Sequence, residues 1–125
     1  MGNSSEPTIA SITPLFIVKD LDRSLKYYTE QLGFEQQFRY EDFYPGIERN
    51  GQTIHLKLGN VSQEERLNRR KNEDLDVHCS VSGIDALFEE FTGKSAEVIQ
   101  SLRDMPYGRE FYVTDPDGYI LGFME

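Results

Sequence analysis

The 125-residue chain contains no tryptophan, a single cysteine (Cys79) and only two histidines, His55 and His78. One cysteine excludes an intrachain disulfide and any paired-cysteine zinc or redox motif, and it suits the reducing cytoplasm. No apolar run approaches the roughly 20 residues that a membrane-spanning helix needs. The opening stretch MGNSSEPT lacks the apolar segment of a secretory signal. Residues 1–8 therefore read as a short flexible tail, and the protein is expected in the cytoplasm. Positive charge is also scarce: 13 lysines and arginines face 22 aspartates and glutamates, for a formal charge of −9. Duplex nucleic acid and anionic membranes repel such a surface, so neither is expected as a partner.

Several catalytic signatures are missing as well. There is no Gly-x-Ser-x-Gly elbow, no His-Glu-x-x-His and no Gly-x-Gly-x-x-Gly. The stretch TGKS over residues 92–95 ends like a phosphate loop, but the first glycine of that motif falls on Phe88. The stretch also closes a helix instead of opening one.

What the chain does contain is itself, twice. VKDLDRSLKYYT from Val18 aligns with VSGIDALFEEFT from Val81, and Val18, Asp22 and Thr29 recur as Val81, Asp85 and Thr92. Each copy predicts an amphipathic helix, with stripes Leu21, Leu25, Tyr28, Leu32 and Ile84, Leu87, Phe88, Phe91. Asp20 and Ser82 are expected to cap these helices, with Gly33 and Gly93 ending them. A strand-like run precedes each helix (ITPLFIV, LDVHCSV) and three follow it: EQQFRY, YPGIER and TIHLKL, then AEVIQS, REFYVT and YILGFM. Asn50-Gly51 and Asp115-Pro116-Asp117-Gly118 mark the last turns. The prediction is one α+β domain of two tandem βαβββ modules, residues 9–58 and 75–125. Residues 59–74 form a charged, solvated linker between them.

Strand alternation then sorts the side chains. Val77, Cys79 and Val81 should face the helices, as should Ile54, Leu56 and Leu58, leaving Asp76, His78 and Ser80, and Thr53, His55 and Lys57, on the opposite face. In the last strand Leu121 and Phe123 pack inward while Ile120, Gly122 and Met124 face away. Curved into a cup, such mixed faces form a ligand site. Cys79 reads as a small core residue. Under the repeat, His55 corresponds to Gly122 and Thr13 to Asp76, four positions on the far faces. Gly122 either leaves space for a bound molecule or accommodates packing.

A doubled βαβββ unit over nearly the whole chain resembles the vicinal oxygen chelate superfamily, in its glyoxalase/bleomycin-resistance/dioxygenase branch. The stretches that carry the resemblance are IVKDLDRSLKYYTEQLGF, DLDVHCSVSGIDALFEEF and PYGREFYVTDPDGYILGF. The last of these is most similar to the bleomycin-resistance subgroup, with Tyr107 where that subgroup tends to carry tryptophan. The resemblance implies curved, mostly antiparallel sheets around a cup, with helices on the outer face. It also implies a homodimer with aromatic-lined clefts between protomers. Metal-dependent relatives place His, Glu or Gln ligands where this chain has Thr13, His55, Asp76 and Gly122. Only His55 and Asp76 are plausible donors here, fewer than the three that a catalytic divalent metal needs. No cofactor is expected.

The reading is a binding protein that sequesters a small aromatic or cationic molecule in a dimeric cleft. Phe38, Tyr40, Tyr44, Tyr107, Glu110 and Tyr112 would contact it, with His55, Asp76, His78 and Gly122 at the floor. Phe38 and Phe43 have a core role as their alternative. Glu110 could act as a base, as a counter-ion, or as the partner of a nearby arginine. The alternative function is a metal-dependent lyase or dioxygenase built on His55 and Asp76.

Overall fold

The computed structural model describes residues 6–125. Of the expected tail, residues 1–5 lie outside the described residues and residues 6–8 are exposed. Strand β1 (Leu15–Val18) leads into α1 (Leu21–Lys26), which widens into a π-helical turn over Tyr27–Gln31. Strands β2 (Glu35–Tyr40), β3 (Tyr44–Arg49) and β4 (Gln52–Leu58) complete the first module. After α2 (Gln63–Lys71), the pattern repeats as β5 (Val77–Ser80), α3 (Ile84–Gly93), β6 (Glu97–Met105), β7 (Gly108–Thr114) and β8 (Ile120–Met124). The result is an α+β fold of two four-stranded sheets, ordered β1-β4-β3-β2 and β5-β8-β7-β6. In each sheet the first strand pairs in parallel with the last, and the other pairings are antiparallel.

The alternation of apolar residues decides which face of each sheet is buried. Phe16, Val18, Ile54 and Leu56 from one sheet and Phe111, Val113, Leu121 and Phe123 from the other join Leu21, Leu25, Tyr28, Ile84 and Phe91 of the helices. These residues form a single core cluster, so the helix-bearing faces of both sheets turn toward one another. Leu58, expected inward, is 44 % exposed, at the last position of β4.

Local signals act with one substitution of roles. Asp20 caps α1, its carboxylate accepting from Arg23 N–H at 3.1 Å. Ser82 does not cap α3. Gly83 holds the cap position, and the Glu125 side chain reaches back to accept from Gly83 and Ile84 N–H, the latter at 2.9 Å. Those backbone donors hold the Glu125 carboxyl below the usual range, as a negative group at a helix N-terminus should be. The left-handed residue after α3 is Ser95 (φ 61), two positions beyond the Gly93 expected there.

The linker is not simply solvated. Its helix α2 is capped by Ser62, carries Glu64 and Glu65 in its first turn and Arg69, Arg70 and Lys71 in its last. That charge order complements the helix dipole. Arg66 is buried, with its guanidinium 4.4 Å from the centre of the Tyr119 ring and Nη1 2.9 Å from Asp76. A long arginine stem can cover apolar surface that composition alone would leave open.

The modules are joined where α1 meets the β7–β8 turn. Asp115 Oδ1 accepts from Asp117 and Tyr119 N–H, fixing the turn, and Oδ2 accepts from the Tyr28 hydroxyl at 2.8 Å. Asp117 accepts from Ser24 Oγ and Lys19 N–H. Tyr27 donates to the Thr114 carbonyl at 2.7 Å and accepts from Glu97 N–H. On the other side of the core, Arg49 makes a two-pronged ion pair with Glu90, at 2.8 and 3.0 Å.

Burial pushes the Asp115 carboxyl up to about 6, against the hydrogen bonds from Tyr28, Tyr119 and Asp117 that favour its charged form. A carboxyl whose folded value lies above its unfolded one contributes fully below about pH 4 and loses that contribution as pH rises through about 6. Relative to the wild type, Asp115→Asn should therefore gain roughly 3 kcal/mol between pH 4 and 7 in urea unfolding; a pH-independent difference would contradict this. A second expectation concerns Gly108, whose φ is 138 and where an added Cβ would sit 2.4 Å from the Glu125 carbonyl oxygen. Gly108→Ala should cost roughly 3 kcal/mol. Gly122→Ala meets the tip of Leu75, at 2.6 Å, and the edge of the Tyr112 ring, at 3.3 Å, and should cost roughly 1 kcal/mol, since the closer contact is with a side-chain tip that can move. Equal losses would show that the backbone approach at Gly108 is not the constraint.

Candidate functional site

With the helix-bearing faces buried, the far faces of the two sheets carry the remaining chemistry. On the first sheet, register sets Gly46 of β3 beside both Phe38 of β2 and His55 of β4. The Phe38 ring occupies the space over Gly46, where a Cβ would come within 2.2 Å of it. Phe38 stacks loosely on Tyr44 (6.4 Å between centroids) and meets His55 edge-on at 5.2 Å. Tyr44 Oη lies 3.1 Å from His55 Nδ1, so the imidazole is held in place with Nε2 free of that contact. Tyr40 packs edge-on against Phe43. Phe38, Tyr40 and Phe43 are all exposed and stand outside the core cluster.

On the second sheet, Glu110 is fully buried in a ring of donors. Arg103 Nε donates to it at 2.8 Å, the Tyr107 hydroxyl at 2.6 Å and the Tyr112 hydroxyl at 3.0 Å. Burial pushes this carboxyl up, but the bonds from Tyr107, Arg103 and Tyr112 outweigh it and hold Glu110 below the usual range. Its negative charge is thus permanent at neutral pH and matched by Arg103. The bond to Glu110 raises the Tyr107 phenol to about 12, leaving it a fixed donor. The Tyr107 ring itself is exposed. Of the roles open to Glu110, pairing with a nearby arginine is the one observed.

The remaining expected positions are engaged with protein groups. Asp76 accepts from Arg66 at 2.9 Å and from Ile120 N–H at 2.8 Å. Arg69 Nε stands 3.1 Å from its other oxygen without an aligned hydrogen bond. The space over Gly122 is taken by Leu75, which is the packing alternative for that glycine. His78 is exposed, with Nε2 2.9 Å from Met124 Sδ. Thr13 pairs with the Thr53 hydroxyl at 3.5 Å.

The four positions that hold metal ligands in metal-dependent relatives therefore do not fit a divalent cation within this chain. Asp76 is neutralised by arginine, Gly122 offers no donor, and Thr13 and His55 lie on the other sheet. Among the described residues, no three His, Cys, Asp or Glu side chains are grouped to hold a metal ion.

The sequence-expected residues thus form two clusters on separate sheets, and among the described residues no hydrogen bond or ring contact joins one to the other. Arg103, Arg66 and Arg69 complete those clusters and were not anticipated. Arg103 lies opposite Glu110 across the β6–β7 hairpin, a pairing that would follow from extending β6 past Ser101 to the Pro106-Tyr107 turn. A cavity of about 630 Å³ opens elsewhere, between α3, β5 and the β3–β4 turn, and includes none of the expected site residues. Burial pushes the thiol of Cys79, which lines that cavity, up to about 11, so it is a poor nucleophile. No helix of the described residues is long and apolar enough to cross a membrane.

Comparisons with known proteins agree with this architecture. A glyoxalase-related enzyme from Clostridium phytofermentans superposes with a TM-score of 0.75 at 22 % identity, covering 95 % of this chain and 96 % of that one. The bleomycin-binding protein of bleomycin-producing Streptomyces verticillus, complexed with copper(II)-bleomycin, gives 0.72 at 20 % identity, covering 95 % and 98 %. A mutant of the fosfomycin resistance protein FosX from Listeria monocytogenes, complexed with Mn(II) and dihydroxypropylphosphonic acid, gives 0.69 at 17 %, covering 94 % and 90 %. No curated protein matches the sequence. The sequence profile of the Glyoxalase/Bleomycin resistance protein/Dioxygenase superfamily spans residues 8–123, and the chain belongs to that superfamily.

Proposed function

We propose that this member of the superfamily is a binding protein that sequesters a small, flat, aromatic or cationic molecule without catalysing a reaction. The observation that carries the proposal is the open aromatic face of the first sheet, where Phe38 and Tyr44 flank His55 and Tyr40 packs on Phe43 nearby. Exposed ring faces attract flat and cationic ligands. The formal charge of −9 adds a longer-ranged pull on cations. Glu110 is already matched by Arg103, so its role is to fix the exposed Tyr107 as a contact residue, while Tyr112, expected to contact the ligand, is buried behind it. Because the two far faces lie on separate sheets whose other sides share one core, a ligand touching both needs a second copy of the chain. A homodimeric cleft follows, in a protein of the reducing cytoplasm. The Streptomyces verticillus protein complexed with copper(II)-bleomycin lends support, as a binder with this fold.

The metal-dependent alternative draws less support from the residues, since Asp76 is held by Arg66 and Arg69. Protein equilibrated with manganese, iron(II), nickel and zinc and then dialysed is expected to retain well under one equivalent per chain. Stoichiometric metal that is lost in His55→Ala would overturn the binding-protein reading in favour of the enzyme.

Binding is tested with acridine orange, a flat aromatic cation, by titration calorimetry alongside sedimentation. Saturable binding to a dimer is expected, and Phe38→Ala should weaken it at least about tenfold, the size of one lost aromatic contact. Dye that ignores the protein, or binds Phe38→Ala as tightly as the wild type, would contradict the proposal.

A further inference from the structure

The cavity beside α3 has a counterpart in the other half of the molecule, and that counterpart is full. Sheet register fixes the correspondence between the repeats: Leu15 pairs with His55 where His78 pairs with Gly122. By the same offsets, Phe16 corresponds to Cys79, Ile17 to Ser80, Arg23 to Ala86 and Gln52 to Tyr119. In the first half, the Tyr119 ring stacks on Phe16 at 4.3 Å between centroids, nearly parallel at 4°. Its hydroxyl accepts from Ile17 N–H at 3.0 Å and donates to the Ile17 carbonyl at 2.9 Å. One phenol thereby fills a cleft between the modules and satisfies the outer edge of β1, which pairs only with β4.

In the second half both rings of that plug are absent. Cys79 stands in place of Phe16 and Gln52 in place of Tyr119. The space becomes the cavity of about 630 Å³, walled by Val81, Ala86, Leu87 and Phe91, with Ser80 and Cys79 of β5 along one side. Strand β5 is an edge like β1, pairing only with β8. Among the described residues no side chain bonds the Ser80 backbone as Tyr119 bonds that of Ile17. The Arg49–Glu90 pair at the rim is internally neutral, and the Cys79 thiol stays protonated, so the walls present no net charge. A volume of this size suits a small organic molecule.

We propose that this cavity is a second binding site, distinct from the aromatic far face, for a small neutral phenol. Its ring takes the place that Tyr119 holds in the other half. Its hydroxyl accepts from Ser80 N–H and donates to the Ser80 carbonyl, and its ring lies over Cys79. Two or more fused rings fit the volume better than one.

The test uses 2-naphthol on the full chain, with naphthalene as the probe lacking the hydroxyl. Cys79 is the only cysteine, so its alkylation by iodoacetamide reports on this cavity and not on the far face. 2-Naphthol should slow that alkylation at least about fivefold at saturation. Its half-saturation should match the affinity from calorimetry. Naphthalene should bind about tenfold more weakly, as expected for two lost hydrogen bonds. Gln52→Tyr combined with Cys79→Phe rebuilds the plug and should abolish 2-naphthol binding. Gln52→Tyr alone, at an exposed position, should weaken it if the double variant fails to fold. Unchanged alkylation at saturating 2-naphthol, equal affinity for naphthalene, or undiminished binding to the Gln52→Tyr variant would each overturn the proposal. Phe38→Ala should leave Cys79 protection unchanged, which separates this site from the far-face reading.

Discussion

Two buried aspartates hold the molecule together. Asp115 and Asp117 belong to the turn between the last two strands of the second module, yet their carboxylates are satisfied largely by the first module: Tyr28, Ser24 and the Lys19 backbone. Buried carboxylates without partners would be prohibitive, so the turn can exist in this form only when α1 is docked on it. The same turn positions Tyr119, whose ring and hydroxyl close the cleft beside β1. Docking, turn formation and edge protection are one event, and the raised Asp115 carboxyl is the residual cost of burying charge there.

This joint also decides where ligands can go. It turns the helix-bearing faces of both sheets inward, into one core in which Phe111 and Phe123 stack and Phe91 meets both edge-on, all within 6 Å between centroids. The far faces point away from that core and apart, the first with exposed rings and the second closed over Glu110 and Tyr112. The aromatic group around His55 and the Glu110 network are each well ordered by their own contacts, but they are separated by the shared core. The second joint is weaker in packing, resting on the Arg49–Glu90 ion pair in place of a stacked phenol. The repeat offers two equivalent clefts, one filled by Phe16 and Tyr119 and the other, with Cys79 and Gln52 in their places, open.

Much of this was legible in the sequence because it rests on local periodicity. The doubled βαβββ order, the strands EQQFRY and YPGIER, and the inward faces of β5 and β8 follow from period-two alternation and turn residues alone. Several of the failures involve a side chain arriving from another element. Ser82 is a reasonable cap by type, but the Glu125 carboxylate arrives from the chain's far end and replaces it. The stretch over residues 59–74 is polar by composition, yet Arg66 covers the Tyr119 ring with its guanidinium. Asp76 and Gly122 share a face with His78 as alternation requires, but alternation says nothing of the arginines and Leu75 that occupy them. The aromatic face was visible because Phe38, Tyr40, Phe43 and Tyr44 are neighbours in sequence as well as in space.

The central claim is that flat aromatic cations are held by the far faces, independently of the cavity beside α3. All seven tyrosines can be labelled with 3-fluorotyrosine and followed by fluorine NMR as acridine orange is added. Far-face binding predicts shifts at the exposed or half-buried Tyr40, Tyr44 and Tyr107, with the buried Tyr27 and Tyr28 and with Tyr119 unmoved. Shifts confined to Tyr27, Tyr28 and Tyr119, or none at all at saturating dye, would contradict it.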